Sequence, residues 1–407
     1  MWKNPNVWII LSGELVAGLG LWAGIIGNLE FMQEKVPSDF MKSLILSCGL
    51  LAGILVGPYA GKLIDQSKKK PVLILSGAGR VISVTFMFIA LATDSISWMI
   101  VFLVTMQIAA AFYFPALQAS IPLIVEEKDL LQLNGWDMNI STIARVAGTA
   151  LAGLVLVYAP ISALYGISMI AYLVMLFFTF MLKIPETKDN LNQQSEKASK
   201  DQSGFKEVFP LLKRDVGIKY TLILSYIPML FLGSFNLLII SISEIQDSSS
   251  IKGLIYTVEG ISFMLGSIAI KYIGAKWKTN NILFFSLLVI GVTELLLHFA
   301  HIPAISLIAF GIFGFSVGCF FPTVMTIFQK QVPNEYHGRF FSFRNMLDRT
   351  SFQIVLLSTG ALLDLMGLEN MVLFFGTLSI CITVYYLWQV KKKNIHIETG
   401  QKEALKV

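Results

Sequence analysis

Glu14 lies inside an apolar segment that runs from about residue 7 to 29. At 1.5 Å of helix rise per residue it sits about 10 Å deep, further than a short carboxylate can reach back to water. Burial penalises the charged form of such a group, so it can take up and release a proton as its surroundings change. Other ionisable side chains share the setting. Glu259 falls in the apolar segment 251–272, Arg145 in 139–158, and Arg344 and Asp348 in 340–364, the last two spaced to share one helix face. Arg80 is similarly placed in 72–93, and Glu294 precedes His298 by one turn in 282–300. Glu14 and Glu259 are the expected proton-exchanging groups. A structural glutamate, and an internal ion pair for Arg344 and Asp348, are the plainer alternatives. With 4 histidines and no pair at ligand spacing, no metal centre is expected. Gly57 to Lys62 is one residue short of a phosphate-binding loop and lacks the following Ser or Thr. Gly314 to Gly318 reads like a serine-nucleophile elbow without the strand that motif needs. Neither an enzyme nor a bound cofactor is expected.

The segments that carry these groups dominate the chain. Of 407 residues, 55% are hydrophobic and only 14% charged, whereas a soluble domain carries about 25% charge. Apolar windows fall at 7–29, 43–64, 72–93, 97–121, 139–158 and 161–182, then at 217–243, 251–272, 282–300, 303–327, 340–364 and 370–390. Each is long enough to cross a bilayer as a helix. Pro185 to Arg214 is rich in Lys, Gln, Ser, Asn and Asp and cannot remain in lipid. The expected organisation is an all-α membrane protein with twelve transmembrane helices in two pseudo-symmetric six-helix bundles. One bundle takes residues 1–183, a cytoplasmic linker 184–216, the second bundle 217–390 and a cytoplasmic tail 391–407. Cys48, Cys319 and Cys381 sit in apolar stretches and read as packing residues. The net charge of +5 is spread over short loops, not interleaved with aromatics, so no nucleic-acid partner is implied.

Orientation follows from where the cations fall. Lys68, Lys69, Lys70, the linker lysines, Lys271, Lys276, Lys278, Lys330 and Lys391 to Lys393 share one face, which places both termini in the cytoplasm. Glu30, Glu34, Asp39, Glu244, Asp247 and Glu369 outnumber the cations Lys35, Lys42 and Lys252 on the other. Phe114-Pro115 and Phe321-Pro322 open similar short runs at corresponding places in the two halves, as parallel repeats require.

At the cytoplasmic end of the second window, Gly61, Asp65, Lys69 and Lys70 resemble the loop motif of the major facilitator superfamily, with Gln66 where that motif has arginine. Gly49, Gly53, Gly57 and Gly61 form a stripe along the same helix that a neighbouring backbone can approach. Phe114-Pro115-Ala116-Leu117, Ile121 to Val125, Phe328-Gln329 and Pro333 to Ser342 resemble the macrolide-efflux-like branch of that superfamily. The resemblance implies a secondary transporter, acting as a monomer in a bacterial-type cell membrane, that exports a small amphiphilic compound such as a drug or macrolide against protons. It implies a gating or latch role for Gly61, Asp65, Lys69, Lys70, Arg145, Arg344 and Asp348. Trp22, Phe114, Phe235, Asn236 and Phe321 are the expected lining of an apolar substrate cavity. A carrier for a siderophore or lysophospholipid is the alternative within transport, and a non-transporting membrane sensor or scaffold the alternative outside it. Gly148 to Gly153 only approximates the superfamily's antiporter motif.

Overall fold

The computed structural model describes residues 2–185, 208–333 and 337–393. Most of the expected linker, the tail from 394, and Asn334, Glu335 and Tyr336 lie outside the described residues. Every regular element among the described residues is helical. In chain order these are α1 (Pro5–Lys35), α2 (Asp39–Gln66), α3 (Lys69–Thr93), α4 (Ile96–Ile124), α5 (Glu127–Tyr158) and α6 (Ser162–Met181). There follow α7 (Val208–Arg214), α8 (Val216–Leu224), α9 (Ile227–Ile245), α10 (Ser250–Gly274), α11 (Thr279–Leu296), α12 (Pro303–Gln331) and α13 (His337–Lys392).

Local chemistry sets the ends. Asn4 caps α1 by accepting from the Asn6 N–H at 3.0 Å, and Pro5 follows where a missing N–H costs nothing. Asp94 ends α3 in the left-handed conformation that helix C-termini favour. Two departures from the simple apolar windows have clear causes. The window 217–243 is one span in two pieces, α8 and α9, interrupted at Ser225 and Tyr226. Pro228 has no N–H to give the Leu224 carbonyl, and its ring crowds that carbonyl. Conversely, the windows 340–364 and 370–390 merge into α13, and only Gly367, at φ 74° and ψ 173°, separates them. That backbone region is open to glycine almost alone.

The chain divides into two compact units. One holds α1, α2 from Met41, and α3 to α6. The other holds α8, α9, α10 from Val258, and α11 to α13. In the first, α1 packs on α5 and α6, and α3 on α4 and α6. Gly13, Ala17, Gly20, Gly24 and Gly27 recur at alternating four- and three-residue steps and are all buried. Added methyl groups at Gly13, Gly20, Gly24 and Gly27 would meet Phe178, Ala171, Ser168 and Tyr165, all on α6. Ser168 Oγ donates to the Gly20 carbonyl at 2.7 Å, which the absence of a side chain makes reachable. The α2 stripe behaves differently along its length. Gly49 and Gly53 pack against Leu103 and Gln107 of α4, while Gly57 and Gly61 have no neighbour within 4 Å.

In the second unit, α9 packs on α13, and α11 on both α12 and α13. Phe231 and Phe313 stack at 3.7 Å, and Phe235 meets Phe310 edge-on at 5.1 Å. Gly314 and Gly318 of α12 lie against the backbone of Glu259 and Phe263 on α10. The outward faces are apolar. Leu55, Leu75, Ile170, Phe177, Leu265 and Ile354 are all exposed, a surface that water would not tolerate and lipid chains would cover. Helices of sufficient length and hydropathy to cross a bilayer account for most of the described residues.

Candidate functional site

Glu14 is brought into the first unit's interior by the α1 seam. Because the small residues on that helix let α6 approach closely, Glu14, beside Gly13, faces α3, α4 and α6 and not lipid. Ile10, Leu73, Tyr113, Met175 and Thr179 surround it, around a space of about 10 Å³. Such a space is far below what a drug-sized ligand needs, so its chemistry is that of the carboxylate itself. Oε1 of Glu14 is buried and has no hydrogen-bond partner. The Tyr113 hydroxyl faces both Glu14 and Thr179. Thr179 in turn donates to the Met175 carbonyl at 2.9 Å.

Arg80 on α3 supplies the positive charge that Glu14 feels. It is 3% exposed. Its guanidinium lies 4.3 Å from the Tyr113 ring, 4.7 Å from Phe114 and 5.8 Å from Tyr172. One terminal nitrogen reaches Met175 Sδ at 3.9 Å, and Nε has no partner. The two charges therefore interact through space, with Tyr113 touching both, and no direct ion pair fixes them. A second carboxylate, Asp137 on α5, also acts on Glu14 and accepts from Gln118 Nε2 at 3.5 Å. Glu14 thus lies within the field of one guanidinium and one further carboxylate, and the balance between them depends on how α1, α3 and α5 are placed.

The second unit has a smaller cluster of the same type. Arg344 Nε stands 3.7 Å from Asp348 Oδ2 across one turn of α13. Its guanidinium lies 5.0 Å from the Phe328 ring and reaches Met325 Sδ at 3.7 Å. Elsewhere in this unit Glu294 is buried between α11 and α13, accepting from Ser379 Oγ at 2.7 Å.

The remaining expected residues belong to one unit or the other. Glu259 is buried on α10. The Arg145 guanidinium lies 6.0 Å from the Trp22 ring. Phe114 is exposed and joins the Arg80 cluster. Phe235 is buried among Phe231, Phe310 and Phe313, and Asn236 is half-buried one residue on. Phe321 meets Phe320 edge-on at 5.8 Å. At the α2–α3 loop, Lys69 is buried with Nζ 3.3 Å from the Ser67 carbonyl, and Lys70 Nζ donates to the Phe180 carbonyl at 2.8 Å. The Asp65 side chain lies outside the described ones. Among the described residues no three His, Cys, Asp or Glu side chains gather as a metal site would need.

The sequence matches the profile of the Major Facilitator Superfamily over residues 10–349 and again over 223–405. The chain belongs to that superfamily. Macrolide efflux protein A of Streptococcus pyogenes is similar at 23% identity over 94% of this chain and 94% of its own length. The Staphyloferrin A transporter of Staphylococcus aureus is similar at 23% identity over 95% of this chain and 97% of its own. Among solved structures, a bacterial homologue of the iron transporter ferroportin superposes with a TM-score of 0.74 at 12% identity, covering 94% of this chain and 98% of that one. The nucleoside transporter NupG superposes with a TM-score of 0.70 at 13% identity, covering 95% and 99%. These likenesses share the fold. The protein is thus a multi-pass membrane transporter of the Major Facilitator Superfamily, with twelve spans in two six-helix bundles.

Proposed function

We propose that this transporter exports a small amphiphilic compound, a macrolide or similar drug, in exchange for protons, with Glu14 as the group that carries the proton. The observation that supports the reading is the buried Glu14 carboxylate, with Oε1 unpartnered, Tyr113 facing it and Arg80 near but not paired. The cost of ionising a carboxylate so placed depends on how near Arg80 and Tyr113 stand, so it can take up and release a proton as the helices around it rearrange. The similarity to a macrolide efflux protein over nearly the whole chain supports the substrate class and the direction. We take the lysine-rich face as cytoplasmic. The similarity to a staphyloferrin A transporter supports a siderophore carrier as the second reading.

The test is uptake of a macrolide and a cationic dye into inverted vesicles under an imposed proton gradient. The expected result is gradient-driven uptake in the natural chain that falls at least tenfold in Glu14→Gln. Equal uptake by the two chains would remove Glu14 from the coupling. Transport of a ferric siderophore and of neither drug would favour the second reading.

A further inference from the structure

The break in the second unit's first span lies beside an acidic side chain that is only loosely held. Tyr226, at the interruption between α8 and α9, lies near Asp348 of α13, and its buried hydroxyl has no hydrogen-bond partner among the described residues. Arg344 forms an ion pair with the Asp348 carboxylate, but a long one without a hydrogen bond among the described residues. The closest approach is 3.7 Å, and Arg344 Nε has no hydrogen-bond partner although the residue is 8% exposed. The guanidinium is held instead by the Phe328 ring and the Met325 sulfur. A carboxylate has about four acceptor positions, and the Asp348 side chain keeps 26% exposure through which a ligand can reach them. The surroundings are apolar and aromatic, since Tyr226, Phe343 and Leu347 belong to one core. An acidic group inside a span, at a helix discontinuity and next to an aromatic ring, suits a ligand that is both greasy and positively charged.

We propose that Asp348 anchors the positive charge of a cationic amphiphile, with the Tyr226 ring beside it and Arg344 drawn aside onto Phe328 and Met325. The inference rests on the reading above that the substrate is a small amphiphile, and it adds that the second unit selects for charge. An arriving cation replaces a long, unbonded contact to Arg344 with a close ion pair, so it gains where an uncharged compound of the same size does not.

The test is equilibrium binding to the purified full chain in detergent, without any gradient, using tetraphenylphosphonium as the cation and chloramphenicol as the uncharged probe. Asp348→Asn is expected to weaken tetraphenylphosphonium binding at least tenfold and chloramphenicol less than twofold. Asp348→Glu is expected to restore the cation, and Arg344→Gln, which removes a competing positive charge, to bind it at least as tightly as the natural chain. An equal loss of both probes in Asp348→Asn would show a merely structural role, and unchanged cation binding would also overturn the proposal. A natural chain that binds chloramphenicol but no cation overturns this proposal alone, whereas one that binds neither probe and no macrolide overturns the drug-export reading with it. If the cation alone binds, an unchanged thermal unfolding midpoint in Asp348→Asn separates lost recognition from lost fold.

Discussion

Arg80 shows what a single buried cation contributes when its partners are mostly rings. Three aromatic rings lie within 6 Å of its guanidinium, and desolvated contacts of this kind are worth about 2 kcal/mol. Arg80→Met keeps much of the volume and loses the charge, so it should destabilise the first bundle by about that amount. Thermal unfolding of the detergent-solubilised chain would show it as a lowered midpoint. The charged residues of this cluster were legible in the sequence, because Glu14 and Arg80 interrupt apolar runs where any charge stands out. Asp137 was not. It precedes the apolar window 139–158 by two positions and looks like a loop residue until helix α5 is seen to start at Glu127. Tyr113 sits in an aromatic run in which packing and polar roles look the same from sequence. Only the turn of α4 toward α1 distinguishes its hydroxyl.

Helices in a bilayer gain little from burying apolar surface against one another, so their association depends on how closely their backbones can approach. On α1 that approach is set by the row from Gly13 to Gly27. Gly20→Val would drive a side chain into Ala171 and Ser168 and should cost about 1 to 3 kcal/mol. Gly57→Ala, where nothing lies within 4 Å, should leave the thermal midpoint unchanged. Measuring both in detergent by fluorescence-detected size exclusion after heating separates the two glycine rows. The α2 row was the easier one to notice, since it repeats every fourth residue without exception. The α1 row alternates steps of four and three, includes an alanine, and is the one whose glycines all pack against a single neighbour. Sequence spacing reports that a seam can exist; which helix fills it depends on chain crossings that no local pattern encodes. The break at Pro228 was likewise hidden, because the residues on both sides of it are apolar and read as one continuous window.

Across the whole chain, hydropathy alone delimited nearly every span, because a bilayer imposes one length on all of them. The orientation proposed from the lysines has a direct check. In a chain whose three native cysteines are replaced, Ser249→Cys should react with a membrane-impermeant maleimide in intact cells, and Ser195→Cys only after permeabilisation. The reverse pattern would invert the topology. At the end of the chain the number of crossings turns on one residue. The apolar helical stretch from Phe343 to Lys392 is 50 residues long, about 75 Å if it were straight and more than twice the thickness of a hydrocarbon core. Gly367 folds it into two crossings. Without that break the stretch would make a single passage, the total would become odd, and everything after residue 392 would emerge in the opposite compartment. Whether the stretch from Phe343 crosses once or twice is set at a position that has no side chain at all.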